Sequence, residues 1–225
     1  MTGAGISAES GIRTFRDSGG LWEGHNPMDV ATPQAWERDP AMVWRFYQAR
    51  RRQLLEVEPN PAHLALKRLE ESVDEFLLVT QNVDDLDSKA GTTNILQMHG
   101  RLRYLRCSSC GKVEEMMEEQ YLADEFVTCG CGNPRMRPDI VWFGEMPMGM
   151  HRIEEAVATC NLFLVVGTSG AVYPAANYLP LASMQGAHCI GVNLEEPENV
   201  MFFDEFHQGK AGEILPALVA GWIEA

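Results

Sequence analysis

Three short apolar, β-branched segments separated by helical stretches constrain the fold of this chain more than any other feature: EFLLVT at 75–80, NLFLVVG at 161–167 and AHCIGVN at 187–193. Near-continuous apolar runs of this length are buried on both faces, as are strands of a parallel sheet covered by helices. Each run ends in a polar cluster, TQNVDD, GTS or NLEEPEN. Open α/β sheets bind ligands at the carboxyl ends of their strands, so these clusters mark the ligand edge. Between the strands lie helical stretches. NPAHLALKRLEESV has Asn60 as a cap and Pro61 in its first turn, and AGEILPALVAGWIEA contains Pro216, which is expected to interrupt or offset the helix. The pattern is α/β.

Two stretches break the alternation: 32–57, rich in aromatic and basic residues, and 106–137, which carries paired cysteines. Both are expected to form a small lobe, helical over 32–57 and a zinc ribbon over 106–137. The segments 1–31, 58–105 and 138–225 then make the large lobe of a single domain.

Composition excludes several classes of function. A formal net charge of −14 argues against nucleic acid as a partner, because such binding rests on clustered Lys and Arg. No apolar run is long enough to span a membrane, and no secretory leader is evident, so a cytoplasmic location is expected. In that setting the six cysteines read as metal ligands and buried thiols rather than disulfides. Cys107 and Cys110, followed by Cys129 and Cys131, can supply four thiolates to one tetrahedral Zn²⁺. All four positions would be filled, making the metal structural. The single residue between Cys129 and Cys131 departs from the usual two. Cys160 and Cys189 lie in apolar surroundings and read as core.

Gly3, Gly5 and Ala8 form a Gly-x-Gly-x-x-Ala pattern, which suits a turn that lets backbone approach a pyrophosphate. Taken alone, it fits a glycine-bearing loop without a ligand equally well. Gln81, Asn82 and Asp84 follow one buried strand, and His99 follows another apolar stretch. A histidine there is either structural or a general base. Tyr47 and Arg50 share a helix face in FYQARRR, where they either line an anion pocket or belong, with Arg51 and Arg52, to a solvated face.

Taken in order, GAGISAESGIRTFRD, TQNVD, HG, the paired cysteines, RPDIVWFGE, GTS and NLE resemble the sirtuin family of NAD-dependent protein lysine deacylases, especially its bacterial CobB-type members. The resemblance implies a Rossmann-like large lobe with a small zinc-bearing lobe. It implies that Gly3, Ala4, Gly5, Phe15 and Arg16 embrace the NAD diphosphate and ribose. Gln81, Asn82 and Asp84 would surround the nicotinamide end, with Asn82 and Asp84 assisting His99, the catalytic base. Gly167, Thr168, Ser169, Asn193, Glu195 and Ala211 would hold the adenosine side. Val141, Phe143, Gly144 and Glu145 would form a strand that pairs with the substrate backbone. Tyr47 and Arg50 would bind the carboxylate of succinyl-lysine or malonyl-lysine. The implied products are free lysine, nicotinamide and O-acyl-ADP-ribose, from acylated lysines of cellular proteins, by a monomeric enzyme. A protein mono-ADP-ribosyltransferase and a non-catalytic NAD-binding or zinc-ribbon module are the alternatives.

Two departures from the family pattern stand out. The strand that usually precedes TGAGIS is absent ahead of Met1, so the Gly3 turn is expected to lack its anchor, with loss of stability and of NAD affinity and a start placed upstream. Asp87 stands where the family commonly has His, adding a carboxylate near the expected nicotinamide cluster.

Overall fold

A computed structural model describes residues 1–13, 22 and 24–224, so the expectations for Phe15 and Arg16 lie outside the described residues. The first part of the chain is helical: α1 (Ala4–Ala8), α2 (Pro27–Val30), α3 (Pro33–Arg38), α4 (Pro40–Gln53) and α5 (Pro61–Ser72). From α2 to α5 each helix opens on a proline behind a capping side chain, Asn26, Thr32, Asp39 and Asn60, that accepts a first-turn N–H. Proline costs nothing there, because its missing N–H would have no partner in the helix. The strands follow: β1 (Leu78–Thr80), α6 (Leu86–Lys89), β2 (Ile95–Gln97), β3 (Gly100–Arg106), β4 (Val113–Glu115) and β5 (Arg137–Ile140). The chain closes with α7 (Met150–Thr159), β6 (Leu162–Val166), α8 (Tyr178–Met184), β7 (His188–Asn193), β8 (Glu205–Gln208) and α9 (Ala211–Glu224).

The parallel sheet runs β2, β1, Thr2, β6, β7, β8. Strands β1 and β2 pair in parallel, as do β6, β7 and β8. Thr2 joins the two halves, bridging in parallel to Thr80 on one side and Val166 on the other. Its N–H donates to the Val79 carbonyl, its carbonyl accepts from Gln81, and Gly3 donates to Val166. The Gly3 turn, expected to be unanchored, therefore leaves from the middle of the sheet. Each flanking strand is hydrogen-bonded to one edge of residues 1–3.

Alternation sorts the strands onto two helical layers. Leu78, Leu164, Val166, Ile190 and Val192 face α5 and α9, while Val79, Phe163, Val165 and Cys189 face α7 and α8. Pro216 does not interrupt α9, contrary to expectation: the helix continues through it to Glu224. Fully buried Leu215 and Val219 seat α9 on α5 and the sheet, and that packing holds the helix despite the lost backbone bond.

A second, antiparallel sheet runs β4, β3, β5. Its inner side shares one apolar cluster with α3 and α4, including Trp36, Trp44, Tyr47, Leu105, Met136 and Trp142. Arg50 and Arg51 are buried at 9% and 0% exposure, so they are not part of a solvated face. Arg51 Nε donates to the Leu102 carbonyl at 2.7 Å and Nη1 to Gln48 at 2.9 Å, tying α4 to β3.

Candidate active site

The glycines of the first turn are required by close approach to a second turn. A Cβ on Gly5 would lie 2.7 Å from the Gly167 α-carbon, and one on Gly3 would lie 2.7 Å from Thr168 Cβ. Gly5 N–H donates to the Gly167 carbonyl at 2.8 Å. Gly167 itself has φ of +64°, and a Cβ on it would meet Ile6 N at 2.3 Å. The end of β6 and the start of α1 are thereby locked together at the carboxyl edge of the sheet. Asn193, at the end of β7, donates to the Thr168 carbonyl at 3.1 Å and the Glu195 carbonyl at 2.9 Å, so the third polar cluster joins the same edge. Ser169 is in the turn after Thr168, and buried Ala211 opens α9.

Gln81, Asn82 and Asp84 leave the end of β1 beside these turns. Gln81 Nε2 donates to Thr168 Oγ1 at 3.1 Å. Asn82 Nδ2 donates both to the Gly3 carbonyl and to Ser7 Oγ, each at 3.1 Å, and Ser7 Oγ donates in turn to Asp84 Oδ2 at 3.1 Å. Both amide hydrogens of Asn82 are thus committed, and its Oδ1 is the atom left to accept. Burial raises the Asp84 pKa, against the lowering effect of the Leu86 N–H and the Ser7 hydroxyl. Ser7 was not anticipated as a site residue, although it sits within the GAGISAES stretch; it links the first turn to the side chains of Asn82 and Asp84.

His99 follows β2. Its Nδ1 lies 3.0 Å from the Gln81 carbonyl, which can only accept, so Nδ1 carries the hydrogen and Nε2 holds the basic lone pair. Burial lowers its pKa, with the Gln81 hydrogen bond opposing, and keeps the ring neutral near pH 7. Such a ring is a competent proton acceptor. Asp87, in α6, is 5% exposed and its carboxyl is pushed up to about 7, first by burial and then by the Asp84 charge.

The segment 141–145 is not a strand, contrary to expectation. Strand β5 ends at Ile140; Val141 N–H then donates to the His99 carbonyl at 2.9 Å and Phe143 N–H to the Ala31 carbonyl at 2.9 Å. Gly144, at φ of +89°, turns the chain, and the turn is closed by Glu145 N–H on the Trp142 carbonyl. The Glu145 carboxylate accepts from both terminal nitrogens of Arg137, at 2.6 and 2.8 Å, and from Trp142 N–H at 2.9 Å. Its charge serves this turn. Phe143 is half exposed beside it.

On α4, Tyr47 is fully buried and its oxygen accepts from Trp142 Nε1 at 2.9 Å. Arg50 stacks its guanidinium over the Trp22 ring at 4.1 Å. Neither Trp was singled out from the sequence, since each meets its partner across a long stretch of chain.

The four cysteines come together, with all four sulfurs within 4.8 Å of one another. Cys107 and Cys131 sulfurs are 3.6 Å apart, Cys110 and Cys129 sulfurs 3.7 Å. Ligands at about 2.3 Å from a tetrahedral Zn²⁺ stand about 3.8 Å from one another, so the set fits zinc despite the short Cys129–Cys131 spacing. Gly132 N–H closes a turn on the Cys129 carbonyl at 2.9 Å, which brings the second pair round.

Glycine turns at the carboxyl edge of a parallel sheet, a half-buried neutral histidine and a four-cysteine ribbon define a dinucleotide-site α/β protein with a structural metal centre. The model of the Sir2 family matches residues 3–174, and the chain belongs to that family. It is 49% identical over 222 residues to an NAD-dependent protein deacylase of Salmonella typhimurium, covering 97% of this chain and 81% of the relative. A protein of the same name from Pasteurella multocida is 47% identical over 228 residues, covering 99% of this chain and 96% of the relative. The crystal structure of a Sir2 homologue with NAD superposes with a TM-score of 0.92 at 38% identity, covering 99% of this chain and 87% of the other. A Sir2 protein bound to a myristoylated histone peptide gives 0.78 at 34%, covering 97% and 87%.

Proposed function

We propose that this protein is an NAD-dependent protein-lysine deacylase acting on acylated lysine side chains, and that its acyl range includes succinyl and malonyl as well as acetyl groups. The observation that carries the reading is His99, held as a neutral base by the Gln81 carbonyl, next to the linked side chains of Asn82, Ser7 and Asp84. The names and ligands of the relatives support it.

Bound NAD would supply an electrophilic ribose carbon with nicotinamide as the leaving group, and so a sugar to which the acyl group can pass. The residues present fit it. Gly3 and Gly5, whose N–H groups bond Val166 and Gly167 and whose Cβ positions are closed by Gly167 and Thr168, would shape the turn that faces the diphosphate, with Gly167, Thr168, Ser169, Asn193, Glu195 and Ala211 toward the adenosine. Asn82 offers Oδ1, its amide hydrogens being taken by Gly3 and Ser7. Asp84, kept in register by Ser7, places a carboxyl of raised pKa in a buried setting. His99 Nε2 would accept a proton from a sugar hydroxyl of the bound cofactor and hold it while Nδ1–H stays on the Gln81 carbonyl. Orientation and charge placement do most of the work, with no protein nucleophile.

Arg50 and Tyr47 support the acidic acyl range. The Arg50 guanidinium lies over the Trp22 ring, three residues along α4 from the buried Tyr47 phenol. A guanidinium and a phenol so placed recognise a carboxylate. The test is zinc-loaded enzyme with NAD and acetyl, succinyl or malonyl peptides, followed by mass analysis. Free lysine peptide and nicotinamide formed in step are expected; a protein or peptide made heavier by ADP-ribose, with the acyl group retained, would overturn the reading.

A further inference from the structure

We infer that Trp142 is a positioning residue for acyl selectivity: its indole N–H occupies the Tyr47 oxygen, so the phenol must give its own hydrogen elsewhere, to the carboxylate of an acidic acyl group. The inference rests on the proposal that Tyr47 and Arg50 bind that carboxylate.

The geometry leaves the indole little freedom. Trp142 is 2% exposed and its Nε1 donates to Tyr47 Oη at 2.9 Å. One face of its ring carries the Arg137 guanidinium, whose carbon lies 3.6 Å from the ring centre, and Trp36 packs at 6.0 Å. Its backbone N–H is held by Glu145, the same carboxylate that grips Arg137. An indole N–H can only donate, so the phenol oxygen must accept and its O–H is turned away from Trp142. Among the described residues, Tyr47 donates to no acceptor. A buried hydroxyl without an acceptor is costly, and a carboxylate drawn in by Arg50 one turn along α4 would satisfy it. An acetyl group ends in a methyl and brings no acceptor beyond its amide oxygen. Burial also raises the Tyr47 pKa to about 12, so the phenol remains a donor across the working pH range.

Trp142 also stands beside the histidine segment. Val141, its neighbour, donates to the His99 carbonyl. The tryptophan that bonds the phenol oxygen thus follows directly on a residue bonded to the histidine segment.

Trp142→Phe keeps a ring and removes the N–H. We expect it to lower the succinyl-to-acetyl ratio of kcat/KM about tenfold, through KM for the succinyl peptide, as the loss of one oriented hydrogen bond predicts. Combined with Tyr47→Phe it should lower the ratio no further than Tyr47→Phe alone, since Tyr47→Phe already removes the O–H that Trp142 orients. Equal changes for the two peptides, or additive losses in the double variant, would overturn the inference. Wild-type enzyme provides a second measurement that needs no Trp142 variant. The indole N–H signal that moves in Tyr47→Phe belongs to Trp142, and it should shift on adding succinyl peptide with ADP-ribose and stay in place with the acetyl peptide. A signal moved alike by both peptides would contradict it. Arg50→Met separates the layers. If it leaves the succinyl-to-acetyl ratio unchanged, the acyl-carboxylate reading itself fails; if it lowers the ratio while Trp142→Phe does not, only the role of Trp142 fails.

Discussion

His99 and Asp87 show how burial, acting on single side chains, decides charge at this site. Because burial lowers the His99 pKa, the acid limb of kcat/KM against pH should lie below the ordinary histidine range, and a limb at or above that range would contradict the assignment. His99→Ala should reduce turnover by about 10² to 10⁴, the usual contribution of a general base, with NAD affinity nearly retained; calorimetric NAD binding beside steady-state rates tests this. Asp87 behaves oppositely. Its carboxyl is raised from 3.8 to about 7, so the folded protein binds a proton more tightly than the unfolded chain. Stability is then lost as pH rises from about 4 to about 7, and the full penalty remains above that. Asp87→Asn should therefore raise stability at pH 8 by an amount on the order of 4 kcal/mol at most, and leave it unchanged near pH 3. Urea unfolding at both pH values would show it; equal gains at both would not fit.

Two elements carry separable structural tasks. The first is the α1 turn against the β6 turn. Gly5→Ala places a methyl 2.7 Å from backbone, so the two turns must part. Destabilisation of about 1–3 kcal/mol and weaker NAD binding are expected, read by thermal melting with and without NAD. An Ala variant with wild-type affinity would mean that the turn is not shaped for the diphosphate. The second is the β3–β4 ribbon with its four cysteines. Cys129→Ser should lower bound zinc and loosen the cluster shared by α4 and β3 through Cys129, Leu105 and Tyr121. Metal analysis with limited proteolysis tests it: cleavage within 107–137 should rise while the parallel sheet stays protected.

At the scale of the whole molecule, the parts legible in the sequence are those encoded within a few residues. The apolar runs marked β1, β6 and β7, the Asn60–Pro61 start marked α5, and the cysteine pairs marked the metal ribbon. What depended on distant packing was hidden. Thr2 is one residue, and only its pairing to Thr80 and Val166 makes it the centre of the sheet. Pro216 reads as a breaker until Leu215 and Val219 are seen buried on α5. The run VWFGE looks like strand, yet Gly144 and the Arg137–Glu145 pair turn it. Trp142 meets Tyr47 from 95 residues away. The candidate site was legible as a set of side chains; Ser7, which links them, was not, because a serine in a turn carries no distinctive spacing. The central claim is that nicotinamide leaves only when an acyl-lysine oxygen is there to replace it. The most direct measurement is nicotinamide release from NAD by zinc-loaded enzyme with acylated peptide and with the same peptide unacylated. Release with the acylated peptide alone, equal to the lysine freed, is predicted; release that ignores the acyl group, or none with any acylated peptide, would contradict it.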